Sequence, residues 1–119
     1  MPHLTLEYSS NLGAVISPAL LRAANRALLG TGQFEEADIK SRALACDIFA
    51  IGDSGLPRGF VAARLAVLAG RSADTRRAIA DALLAMLTSA IAADGVALQI
   101  SVEIVEIDRD SYAKSTTRP

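Results

Sequence analysis

The chain has 119 residues, 51% hydrophobic and 21% charged, with 12 basic and 13 acidic side chains and a formal net charge of -1. This size suits one domain with its own core, because a chain of such length buries roughly two-thirds of its unfolded surface without disulfide or metal staples. Near-neutral charge offers no field for a polyanion, 4% aromatic content without tryptophan offers no stacking platform, and no apolar run approaches ~18 residues, so no nucleic-acid or membrane partner is expected.

The N-terminus lacks the basic, apolar, small-residue order of a signal peptide, and Cys46 is the single cysteine, so the expected location is cytoplasmic. His3 to Tyr8 alternates, with Leu4, Leu6 and Tyr8 on one face and His3, Thr5 and Glu7 on the other. A strand therefore starts almost at the first residue. Ser9 to Gly13 reads as a loop. Ser17-Pro18 is a helix start, since serine caps free amides and proline at the first helical position gives up none that are needed. Leu20, Leu21, Ala24, Ala27 and Leu28 form its apolar stripe, and Gly30 and Gly32 end it. From Ile39 the composition turns to strand formers, and the turn-rich Gly52-Asp53-Ser54-Gly55-Leu56-Pro57 puts the end of a second strand near Ile51.

The order then repeats. Phe60 to Leu68 suits a strand, Ser72 caps a second helix with Asp74 in its first turn, and Asp94-Gly95 stops that pattern. Val96, Leu98, Ile100, Val102 and Ile104 alternate with Ala97, Gln99, Ser101 and Glu103 in the cleanest strand of the chain. From Asp108 to Pro119 the tail is polar and is expected to be mobile unless a partner holds it. The predicted fold is α/β (α+β): two strand–helix–strand halves of about 50 residues, each a parallel pair with a right-handed helical crossover. Both helices then lie on one face of a four-stranded sheet. The other face stays open although it carries apolar residues, which predicts a homo-oligomer.

Four residues attract a chemical reading. Methionine before proline is a context for removal of the initiator, which would expose a secondary amine on Pro2. Such an amine titrates near pH ~7.7 to 8, and burial or nearby cations favour its neutral, basic form. The blander reading is an ordinary early proline. Arg71, in Gly70-Arg71-Ser72 at a strand-to-helix junction, reads as an anion site, where a guanidinium can grip a carboxylate with two parallel bonds, or as a solvated arginine beside a serine cap. Lys40 and Arg42, two apart in a strand, project from one face and can clamp a second carboxylate, or they are solvated charges at a strand end. His3 has no partners at metal-ligand spacing, so no metal site is expected, and Cys46 among Ala43, Leu44, Ala45 and Ile48 reads as a core thiol.

Pro2-His3-Leu4-Thr5-Leu6-Glu7-Tyr8-Ser9-Ser10-Asn11, Ile39-Lys40-Ser41-Arg42 and Ala69-Gly70-Arg71-Ser72 resemble the 5-carboxymethyl-2-hydroxymuconate delta-isomerases of the tautomerase superfamily. The resemblance runs through the β-α-β-β-α-β order to about Ile107 and departs at Lys40, where relatives carry arginine, and at Ala66, where relatives carry lysine. It implies a single tautomerase-like domain over 1–119 and a homotrimer whose sheets pack inward as a barrel. It further implies a cofactor-independent isomerase whose base is the Pro2 amine, with Arg71 and one of Lys40 and Arg42 holding the carboxylates of a small acid in homoprotocatechuate breakdown. Two alternatives share the scaffold: keto–enol exchange of an aryl pyruvate, and a non-catalytic trimer that binds a small ligand.

Overall fold

The structure is a computed structural model that describes residues 1–119. Its main elements are β1 (His3–Ser9), α1 (Pro18–Gly30), β2 (Lys40–Cys46), β3 (Arg58–Leu68), α2 (Ala73–Ala90) and β4 (Ala97–Ile107). The strands form one sheet in the order β2-β1-β3-β4. β1 runs parallel to β2 and antiparallel to β3, and β3 runs parallel to β4. Each half is thus the expected parallel pair, and the halves join through the antiparallel β1–β3 seam.

Local chemistry starts each helix where its sequence predicts. Ser17 Oγ accepts from the Leu20 amide at 3.3 Å, with Pro18 next in the chain. Ser72 Oγ accepts from the Thr75 amide at 3.1 Å, and Asp74 lies at the positive end of α2. Leu20, Ala24 and Leu28 of α1 and Ile79, Leu83 and Leu87 of α2 are buried against the strand residues of matching phase. Those strand residues are Leu4 and Leu6 of β1 and Val61, Ala63, Leu65 and Val67 of β3. Both helices therefore cover one face of the sheet. The opposite face carries His3, Thr5 and Glu7 beside Lys40, Arg42 and Leu44, with Arg64 and Glu103 paired at 2.9 Å further across. It has no covering layer within the chain, and Leu44 is 52% exposed there.

The structure departs from four sequence expectations. β2 stops at Cys46 and does not reach Ile51, because its only neighbour is β1, and their register ends at Ser9↔Cys46. Cys46 is consequently outside the hydrophobic core: it is half-buried on the final rung of an edge strand, in phase with Lys40, Arg42 and Leu44. The tail from Asp108 is also held within the chain. A short 3-10 turn at Arg109–Ser111, capped by Asp108 accepting from the Asp110 amide at 3.1 Å, leads to a 2.6 Å ion pair between Lys114 and Asp38. α2 ends at Ala90, four residues before Asp94-Gly95.

Leu4 and Leu6 are fully buried, so they anchor the strand that carries the N-terminus. Leu4→Ala should lower the unfolding free energy by about 2 to 5 kcal/mol through lost burial and a residual cavity. Urea denaturation at fixed protein concentration measures this; an unchanged midpoint would mean that β1 is not anchored by its apolar face.

Candidate active site

The four candidate residues converge on one end of the sheet. β1 and β2 start there, β3 and β4 finish there, and α2 begins just beyond. Pro2 is buried and precedes the first paired residue, and its carbonyl accepts from the Lys40 amide at 3.2 Å. The strand register sets His3 beside Lys40 and Thr5 beside Arg42. Strand alternation therefore brings Lys40 and Arg42 to the same open face, as the spacing predicts.

The two cations behave differently. Lys40 Nζ donates to the Asp38 carbonyl at 2.7 Å, which turns it towards the 3-10 turn at Glu36–Asp38. Arg42 meets the His3 Nδ1 across the strand pair. A guanidinium only donates, so this contact requires His3 Nδ1 as an unprotonated acceptor. Burial first, then the charges of Arg42 and Lys40, hold the His3 pKa below its ordinary 6.5. The terminal amine, on Met1 in this chain, is also depressed from its ordinary 8.0: burial has the largest effect, Lys40 and Lys114 add to it, and Asp38 opposes them. This end of the sheet is thus a place where added positive charge is disfavoured.

Arg71 lies at the same end, after Gly70, which adopts φ 130. Its Nη2 donates to the Gln33 carbonyl at 2.8 Å, its Nε to Gln33 Oε1 at 3.1 Å and its Nη1 to the Leu68 carbonyl at 3.5 Å. The guanidinium also stacks 4.9 Å above the Phe34 ring. Three of its five donors are occupied within the chain, so the group is fixed in orientation and keeps two for another acceptor. Ser72 beside it is the helix cap of the blander sequence reading.

None of the cavities of the single chain is lined by Pro2, Lys40, Arg42 or Arg71. Lys40 and Arg42 lie on the open sheet face, Pro2 is buried at the same end in phase with Leu4 and Leu6, and Arg71 lies at the start of α2. Two further charged residues at this end, Asp38 and Lys114, carry no signal in the sequence. They are 76 positions apart, and only the path of the tail across the sheet end joins them.

The His3 environment is testable by itself. Arg42→Gln removes the cation facing the ring, so the His3 titration followed by NMR should move upward towards 6.5. A titration that stays in place would show that the charge of Arg42 does not reach the imidazole. Because folding lowers this pKa, the unfolded chain takes up the His3 proton more readily, and the associated stability is lost as pH falls through the ordinary value.

Comparison with known proteins agrees with this architecture. The family model for 5-carboxymethyl-2-hydroxymuconate isomerase matches residues 2–118. A 5-carboxymethyl-2-hydroxymuconate isomerase from Deinococcus radiodurans R1 is 38% identical, with a TM-score of 0.88 over 98% of this chain and 90% of its own. A 5-carboxymethyl-2-hydroxymuconate delta-isomerase is 25% identical, with a TM-score of 0.73 over 98% of this chain and 89% of its own. At 17% identity, a fused 4-OT wild-type symmetric trimer shares the fold, with a TM-score of 0.63 over 87% of this chain and 85% of its own. No curated protein sequence matches the chain significantly. The match along nearly the whole chain, on a four-stranded sheet of two parallel pairs with both helices on one face, shows that this protein belongs to the 5-carboxymethyl-2-hydroxymuconate isomerase family and is an isomerase with the tautomerase fold.

Proposed function

We propose that the protein moves a proton within an unsaturated keto/enol carboxylic acid, with 5-carboxymethyl-2-hydroxymuconate as substrate and the Pro2 amine as general base. The observation that carries this reading is the position of Pro2: buried at the start of an inner strand and bonded through its carbonyl to the Lys40 amide. Loss of Met1 turns the Pro2 nitrogen into a secondary amine at this spot. Pro2 is buried, and Lys40 and Lys114, which depress the neighbouring Met1 amine, are the cations at this end that would act on it. A base whose pKa lies near the working pH is both unprotonated and able to take a proton.

The neutral nitrogen removes a proton from the 2-hydroxyl of the enol, or from the carbon next to a conjugated carbonyl, and returns it further along the conjugated system. Negative charge spreads over the dienolate in between. Fixed cations near that charge lower the barrier, so the step needs a base and an electrostatic clamp. Arg71, already oriented by Gln33 and Phe34, offers its two remaining donors to one carboxylate. Lys40 or Arg42 takes another, with Lys40 favoured because it adjoins Pro2, while Arg42 faces His3. A lysine keeps the charge of the arginine that relatives carry there and loses its planar fork.

The working unit in this reading is a homotrimer in which the single domain, residues 1–119, covers its open sheet face with two other copies. Exposed Leu44 and Ile48 and the uncovered sheet face that carries Lys40 and Arg42 support it, since neighbouring copies would cover a face that one chain leaves open.

Pro2→Ala tests the base. Alanine also permits loss of Met1 and leaves a primary amine that is more mobile and different in basicity. Turnover of 5-carboxymethyl-2-hydroxymuconate by the processed, folded variant should fall by ~10² or more. An unchanged rate would remove Pro2 from the mechanism.

A further inference from the structure

The segment beyond β4 takes a path that neither the core nor the proposed chemistry requires. It leaves the sheet at Ile107, whose carbonyl accepts from the Ala69 amide at 2.9 Å, and Arg109 Nε then donates to the Ala69 carbonyl. After the turn at Arg109–Ser111 it crosses from the end of β4 to the 3-10 turn before β2, where Lys114 Nζ meets Asp38 Oδ1 at 2.6 Å. Since the strand order is β2-β1-β3-β4, this path spans the ends of β3 and β1, and so passes the end at which Pro2 is buried. Asp38 links the strap to the site, because its carbonyl also receives Lys40 Nζ at 2.7 Å and the Lys40 amide donates to the Pro2 carbonyl.

We propose that residues 108–114 form a strap across the reactive end, pinned at Arg109 and Lys114, and that Lys114 is a positioning residue for the Pro2 nitrogen, acting through Asp38 and Lys40. The proposal rests on the reading of Pro2 as the base and adds to it the element that sets the charge around that base. The charged and titratable groups at this end are His3 on β1, Lys40 and Arg42 on β2, Glu36 and Asp38 on the turn before it, Arg71 and Asp74 at the start of α2, and Asp108, Arg109, Asp110, Tyr112 and Lys114 on the strap. Asp38 is the anion among them that acts on the terminal amine, where it opposes Lys40 and Lys114. Without Lys114 it stands as an unpaired carboxylate near the amine and stabilises the protonated form; with Lys114 in place its charge is balanced. The Lys114–Asp38 contact is partly open to solvent, with about a third of each side chain exposed. Its value therefore lies in where it places charge, and little fold stability is expected from it.

This predicts a directional pattern in the Met1-processed enzyme. Lys114→Met should move the acid limb of the kcat/KM profile for 5-carboxymethyl-2-hydroxymuconate upward by about half a pH unit, with the high-pH plateau kept. Lys114→Arg should restore the parent limb. Asp38→Asn should shift it downward, and the double variant Asp38→Asn with Lys114→Met should return close to the parent. The Pro2 nitrogen, labelled with 15N, is titrated by NMR in the same variants. Concerted movement of amine and rate supports the proposal. If neither moves in Lys114→Met, or if kcat/KM drops equally at every pH, Lys114 has no positioning role. If the amine moves and the rate does not follow, the reading of Pro2 as the base fails, and the catalytic role of the strap fails with it.

Discussion

The position of β1 governs most of what this molecule does. It is an inner strand, bonded along one edge to β2 and along the other to β3, and it begins at His3, two residues into the chain. A terminus attached to such a strand cannot fray as most chain ends do, because its backbone groups are paired on both sides and Leu4 and Leu6 are sealed under the helices. Pro2 is consequently fixed where β3 and β4 end and α2 starts. Lys40 and Arg42 are carried to that place by the parallel register with β2, and Arg71 by the short junction that follows β3. Each half contributes because parallel pairs align the start of one strand with the start of the next.

Electrostatics at this end follow from the same placement. The Met1 amine and His3 are both depressed, by burial first and then by the neighbouring cations. In the proposed mechanism, attraction for substrate carboxylates and suppression of a protonated amine both follow from the cations at this end. The arrangement is balanced locally: Asp38 opposes the effect of Lys40 on the amine and is itself held by Lys114. The Asp38 carboxyl lies below its usual range because Lys114 hydrogen bonds to it, so the pair stays ionised throughout the pH region in which the amine titrates.

Much of this was legible in the residues, for physical reasons that differ by element. Alternation in β1 and β4 and the serine caps at Ser17 and Ser72 depend on local chemistry, and the structure reproduces them within a few residues. The end of β2 depends on the length of its neighbour, which no local pattern records; apolar residues from Ala45 to Ile51 look like strand but have no β1 partner beyond Ser9. Cys46 lies outside the core for the same cause, since a thiol among apolar neighbours is buried only if a layer covers its face. Lys40 and Arg42 could be put on one face by counting. That Lys40 turns to Asp38 and Arg42 to His3 needed the folded geometry. Lys114 was invisible in a polar tail, because its partner is 76 positions away and the strap that unites them has no periodicity.

The claim on which the functional account turns is that the Pro2 nitrogen must be free. Preparations that retain Met1 and preparations that have lost it, each made homogeneous and verified by intact mass, can be compared for isomerase activity on 5-carboxymethyl-2-hydroxymuconate after circular dichroism has shown the same fold. The account predicts that turnover belongs to the processed chain and that the Met1-retaining chain, whose Pro2 nitrogen is tied up in a peptide bond, is inactive. Equal turnover by the two preparations would contradict it.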